Sequence, residues 1–192
     1  MYLIVGACLS VGSALAVYAA RLIELRAHRD TVVGEIKERL TLRLFVAIGT
    51  LAVVGSLVEF VLSGFPFNPM FVVVGWLCAF ASIRLRREAI HALGKFWSLH
   101  VEIRTSHVLV NEGPFRWVRH PTYLSMLLEI TAVASMLNAP ISLGVAVVLL
   151  VPALLMRIRI EEGALIQKFG AAYEAYREST PSLIPYKLPS RA

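Results

Sequence analysis

Five long apolar runs, over residues 2–20, 44–62, 67–83, 123–137 and 141–156, alternate with stretches that hold every Lys and Arg of the chain. A helix rising about 1.5 Å per residue needs about 20 residues to cross a hydrocarbon core of ~30 Å. The first two runs meet that length comfortably and the third adequately. The last two are shorter and are separated only by Asn138, Ala139 and Pro140, which predicts a tight helical hairpin whose two outer ends face the same side. The pattern predicts an all-α integral membrane protein with about five transmembrane helices.

Charge then orients these spans. Of the nineteen Lys and Arg, six fall in residues 21–43, seven in 84–119 and six in 157–191. The turns at 63–66 and 138–140 carry none. An excess of cations marks a cytoplasmic face, so the expected topology has the N-terminus outside and the C-terminus inside, in a bacterial inner membrane or the endoplasmic reticulum. Hydrophobic residues make up 57% of the chain, and mean hydropathy is +0.69. A net charge of +6 in a soluble protein would point to nucleic acid. Set between apolar runs, these cations instead face anionic lipid, and nucleic acid is not an expected partner. The chain reads as a single domain over 1–192, with three spans in 1–83 and a half with two spans in 84–192.

Cys8 and Cys78 both lie inside apolar runs, where a thiol behaves as a small hydrophobe. Neither a disulfide framework nor metal-ligand spacing is present, and no metal is expected. No basic residue precedes Arg21, so the cleavage-like Ala14-Leu15-Ala16 is not expected to end a signal peptide. Between the third and fourth runs, residues 83–93 are expected to continue the third helix, and residues 101–110 to form an extended, docked loop. Residues 157–176 have apolar positions at helical spacing and predict an amphipathic helix leaving the membrane, interrupted at Gly170.

Three places hold residues suited to chemistry. Arg119, His120, Pro121 and Tyr123 stand where the basic segment meets the fourth run. Pro121 suits a first helical turn, where free backbone N–H groups favour an anion, and Arg119 can grip a carboxylate through two parallel hydrogen bonds. Arg157, Arg159, Glu161 and Glu162 follow the fifth run. Adjacent acids on a helix point in different directions, so one is expected to pair with Arg157 or Arg159 while the other faces a pocket. Glu129 lies about two turns inside the fourth run, where a carboxylate is expensive and faces a cavity or a partner; a base and a structural bond are equally open. Glu59 is expected at an interface. The histidines at 28, 91, 100, 107 and 120 all fall on the charged side, with His107 near the turn at Gly113-Pro114.

At these positions the chain resembles the isoprenylcysteine carboxyl methyltransferase family, a branch of membrane methyltransferases that also includes phospholipid methyltransferases. The matching pieces are LGKFWS at 93–98, HVLVNEGPFRWVRHPTY at 107–123 and EEGALIQKFGAAYEAY at 161–176, in the family's order and spacing. The resemblance implies S-adenosylmethionine as methyl donor, bound on the cytosolic side, with a lipophilic acceptor entering from the membrane. It implies a non-Rossmann cofactor pocket completed by the cytoplasmic loop and the C-terminal amphipathic helix. Carried over residue by residue, His107, Leu109, Val110, Gly113, His120, Pro121, Tyr123, Glu161 and Glu162 would hold the cofactor. Arg119 would hold the acceptor or the cofactor carboxylate, and with Glu129 forms the expected catalytic set. The acceptor is either a prenylcysteine-type carboxylate or a phenolic or pyrone lipid hydroxyl, and only the second gains from a base. A non-catalytic cofactor-sensing or assembly subunit on the same scaffold is the alternative.

Overall fold

The computed structural model describes residues 2–26, 35–38, 40–98, 101–103 and 108–187. Six α-helices run in chain order: α1 (Tyr2–Arg26), α2 (Leu40–Leu62), α3 (Pro69–Leu93), α4 (Pro121–Met136), α5 (Pro140–Phe169) and α6 (Ala171–Ser179). Two short strands, β1 (Glu35–Glu38) and β2 (Val101–Ile103), pair antiparallel with Ile36 opposite Glu102. The expected all-helical membrane architecture is therefore present. The expected loop at 101–110 differs in its first three residues, because the β-branched alternation of Val101 and Ile103 finds a ladder partner in Glu35–Glu38. That partner was illegible, since Glu-Ile-Lys-Glu carries one apolar residue.

Among the described residues, four stretches are long and apolar enough to cross a membrane: Ile4–Arg21, Leu40–Leu62, Pro69–Phe96 and Pro140–Phe169. The expected fifth, α4, has 16 residues, about 24 Å at 1.5 Å per residue and short of a ~30 Å core. Large apolar side chains on these helices are turned outward, among them Ile4, Leu77 and Val148, each more than 60% exposed. Helices that expose such residues along their length are solvated by lipid, and the chain is an integral, multi-pass membrane protein. As expected, α3 continues past its apolar run to Leu93. The expected amphipathic helix after the fifth run is not separate: α5 passes without a break through Arg157 to Phe169. It ends at Gly170, whose φ of +53° only glycine adopts freely.

The chain forms two compact units that interleave along the sequence. The first comprises Met1–His28, Phe45–Ile83 and Met126–Val151, and the second Arg29–Leu44, Arg84–Ser125 and Pro152–Ala192. Helices α3, α4 and α5 each supply residues to both. The first unit has a core of small and apolar residues, with Ala14, Ala79, Ala132 and Ala139 around Phe60, Val133, Met136 and Leu137. Small residues let backbones approach, and α3 packs tightly on α4 at Gly75. A Cβ there would lie 2.5 Å from Cγ of Met136 and 2.9 Å from the Ala132 carbonyl oxygen.

Glu59 is not an interfacial bystander. Its carboxylate accepts the backbone N–H of Ile141 at 3.0 Å and of Ser142 at 2.7 Å. An acid of α2 thus caps the first turn of α5, where unpaired N–H groups otherwise need a partner. Glu129 also lies in this unit, with Oε1 3.9 Å from Nε of Arg21, which bonds Glu24 at 3.3 Å.

Gly75→Val overpacks the α3–α4 contact and is expected to cost about 1–3 kcal/mol in thermal unfolding of the detergent-solubilised protein. Gly12→Ala, with no atom within 4 Å of the new Cβ, is expected to stay within ~0.5 kcal/mol of wild type. Equal melting of both variants would show that the close approach is not what packs α3 on α4.

Candidate active site

The second unit gathers the charged motif residues. Pro121 opens α4, and Tyr123 and Leu124 donate their N–H groups to the His120 carbonyl. Just before the helix, the N–H of Arg119 donates to Pro181 O at 2.8 Å and that of His120 to Ser182 O at 3.0 Å. The chain after α6 is therefore zipped by backbone bonds onto the entry to α4. Gly113, at φ +56°, starts the 3-10 turn Gly113–Arg116 that brings the chain to this point.

The two acids at 161 and 162 diverge as their adjacency requires. Glu162 pairs with neither Arg157 nor Arg159. Its Oε1 accepts from Arg119 Nε at 2.9 Å and from Arg119 Nη2 at 2.8 Å, and lies 3.0 Å from Nε2 of His120. The guanidinium continues across, with Nη1 donating to the carbonyls of Arg177, at 2.9 Å, and Thr180. One planar fork thus ties α5 to the end of α6. Glu161 turns the other way, and its Oε2 accepts the Tyr123 hydroxyl at 2.6 Å. That hydroxyl in turn accepts from Arg157 Nε at 3.2 Å, while Arg157 Nη1 donates to Thr41 Oγ1 at 2.8 Å. Arg157 is 4% exposed and Thr41 fully buried, so the row Thr41–Arg157–Tyr123–Glu161 is shielded at its Thr41 and Arg157 end. His120 stacks on Tyr123 with ring centroids 5.5 Å apart.

These groups form one wall of a cavity of about 860 Å³, its open mouth included. Arg119, His120, Thr122 and Glu161 are among its polar lining residues, and Leu93, Phe96, Leu165 and Phe169 among its apolar ones. Tyr173 and Tyr176 of α6 also line it. Burial pushes both phenols above the usual tyrosine range, and the Glu162 charge adds to the shift, so both stay protonated at neutral pH. Tyr176 donates to Phe115 O at 2.7 Å. Tyr173 is 1% exposed, and its hydroxyl has no hydrogen-bond partner among the described residues.

Of the residues singled out from sequence, Leu109, Val110, Arg119, His120 and Glu161 line the cavity. Tyr123 and Glu162 hold lining residues from behind. Pro121 and Gly113 set backbone. Glu129 belongs to the other unit, and His107 lies outside the described residues. Sequence reasoning missed Tyr173 and Tyr176 as pocket residues. Both stand in the quoted 161–176 fragment, where helical spacing marks them only as an apolar face. Arg157 stands in the charged cluster that follows the fifth run, but its tie to Thr41, 116 residues away, leaves no local signal.

Fold and site together define a helical, multi-pass membrane protein with a polar pocket built from the entry to α4, the end of α5, and α6. Residues 73–167 match the sequence model of the isoprenylcysteine carboxyl methyltransferase (ICMT) family. Over that segment, about half of the chain, the protein is a member of this family. The chain is similar to the protein-S-isoprenylcysteine O-methyltransferase of Saccharomyces cerevisiae, 33% identical over 116 residues that cover 59% of this chain and 48% of the relative. The protein of the same description from Mus musculus is 31% identical over 146 residues, covering 71% and 51%. The solved structure of the eukaryotic intramembrane Ras methyltransferase ICMT superposes with a TM-score of 0.66 at 28% identity, covering 71% of this chain and 52% of that one. The chain thus spans about half the length of the curated relatives it matches.

Arg119→Lys cannot reach Glu162 and two carbonyls at once. Losing one charge-assisted bond, worth ~1.5–3 kcal/mol, is expected to raise amide exchange in Ala171–Ser179 about tenfold or more relative to wild type. Unchanged protection of α6 would sink the clasp.

Proposed function

We propose that this chain is a membrane-embedded methyltransferase that uses S-adenosylmethionine to O-methylate a lipophilic acceptor bearing a carboxylate, of the prenylcysteine type. The observation that carries this reading is Glu161, held toward the cavity by Tyr123 and Arg157 inside the segment that matches the family. The printed names of the relatives, protein-S-isoprenylcysteine O-methyltransferases, support the acceptor.

The residues present suit the cofactor. A carboxylate faces a cavity whose lining is also in part apolar, as a group that is part cation and part flat nucleoside requires, and the Tyr173 hydroxyl is left without a partner among the described residues. When bound, S-adenosylmethionine supplies an electrophilic methyl group on a positively charged sulfur. His120, Glu161, Leu109 and Val110 would hold it from the cavity wall. Glu161 offers the compensating negative charge, and the Tyr123–Arg157 pair fixes its direction. Glu162, held by Arg119 and hydrogen-bonded with His120, is a positioning residue, as are Pro121 and Gly113 through the backbone. Arg119 joins them, because its contacts run to protein acceptors. His107 completes the cofactor set by resemblance alone. Alignment and exclusion of water are the main demands of such a transfer, and both follow from a pocket whose walls are clamped in advance.

An ionised carboxylate needs no base. Under this reading Glu129 serves the first unit through Arg21 rather than the transfer. The one-sided distribution of Lys and Arg supports an N-terminus outside and a cytoplasmic pocket.

Calorimetry in detergent is expected to detect S-adenosylmethionine binding that weakens at least about tenfold in Glu161→Gln, the loss of one charge-assisted partner; wild-type protein that binds none sinks the reading. Incubation with the labelled donor and a farnesylated cysteine derivative is expected to give a product heavier by one methyl group. Glu129→Gln is expected to keep that turnover across pH 6–9 within about twofold, well under 1 kcal/mol. A crippled Glu129→Gln, with transfer to a phenolic lipid in place of the carboxylate, would transfer the assignment to a hydroxyl acceptor with Glu129 as its base.

A further inference from the structure

Tyr173 is the feature of the cavity that protein contacts leave unexplained. It is fully shut from solvent at 1% exposure, it lines the cavity, and its hydroxyl has no hydrogen-bond partner among the described residues. A stranded hydroxyl is a cost that a folded protein ordinarily avoids by pairing it or by carrying phenylalanine instead. Its neighbour on α6 shows the ordinary solution, since Tyr176, edge-on to Tyr173 at 5.9 Å, spends its hydroxyl on Phe115 O. The two differ in what a ligand would find: Tyr176 is already committed and Tyr173 is not.

We infer that Tyr173 is a cofactor-binding residue whose hydroxyl takes its missing hydrogen bond from the uncharged nucleoside half of the methyl donor, at a ribose hydroxyl or a ring nitrogen of the base. The inference rests on the methyltransferase reading and deepens it. Two observations select the nucleoside half. The cavity that Tyr173 lines also takes Leu93, Phe96, Leu165 and Phe169 into its lining, apolar surface that suits a flat, neutral ring. The phenol also lies in the field of Glu162 and Glu161, which disfavours a carboxylate beside it even with Arg119 in part opposing them. An uncharged group that both donates and accepts matches a neutral phenol. Because the hydroxyl is enclosed, a ligand reaches it through a local shift of the Tyr173 side chain, with the α6 backbone still clasped by Arg119. The cost of the stranded group is then removed by binding.

This arrangement gives Tyr173→Phe a signature that a structural tyrosine lacks. The ligand-free variant is expected to melt at or above the wild-type temperature in detergent, while Tyr176→Phe, which deletes a bond already made, melts lower. Calorimetry is expected to show Tyr173→Phe binding S-adenosylmethionine about tenfold more weakly, and 5′-methylthioadenosine, which lacks the amino-acid half, more weakly by the same factor. Wild-type affinity for both compounds overturns the assignment and leaves the methyltransferase reading standing. A loss confined to S-adenosylmethionine overturns the nucleoside contact, and a lower melting temperature for ligand-free Tyr173→Phe shows a protein partner and overturns it as well. Wild-type protein that binds neither compound removes the methyltransferase reading and this inference together.

Discussion

A single carboxylate oxygen, Oε1 of Glu162, is the joint on which the second unit depends. Two adjacent residues at the entry to α4 converge on it, Arg119 through two nitrogens and His120 through one. A buried carboxylate is costly without partners and strongly held with them, so these contacts fix the last turns of α5 against the first residue of α4. The same guanidinium reaches the carbonyls of Arg177 and Thr180, which carries the constraint into α6. Backbone bonds from Arg119 and His120 to Pro181 and Ser182 complete it. The cavity residues of α6, Tyr173 and Tyr176, lie on the helix whose end this joint holds.

Adjacency on a helix turns that constraint into a site. With Glu162 committed to the clasp, the roughly 100° step per residue leaves Glu161 facing elsewhere, toward Tyr123 and the cavity. One acid makes structure, and the neighbouring one remains available for a ligand. The buried row through Arg157 to Thr41 explains why Glu161 holds one direction although its side chain is a third exposed. Tyr173 shows the complementary situation: a buried hydroxyl that the fold leaves without a hydrogen-bond partner among the described residues.

Much of the fold was legible because hydrophobic periodicity reports the solvent that a helix meets. The apolar runs located α1 to α5, and Gly170 marked the break before α6. The same reasoning did not join the apolar run at 141–156 to the amphipathic stretch after it, which α5 does by running unbroken through Phe169. It also missed β1, whose partner lies more than sixty residues away. For the site, the order of motifs named the positions that matter, but role followed only partly. Arg119 reads in sequence as a grip for a ligand carboxylate and in the fold grips Glu162. Glu59 reads as interfacial and caps α5.

By itself the sequence determined which residues are available and on which side of the apolar runs they lie, because solvation and charge act locally along the chain. Tertiary structure alone decided which cation meets which acid, that Arg157 reaches Thr41 across 116 residues, and that the Tyr173 hydroxyl is left over. Hydrogen bonds depend on direction and on separations of a few tenths of an ångström. Spacing along a sequence fixes neither when the partners lie on different helices.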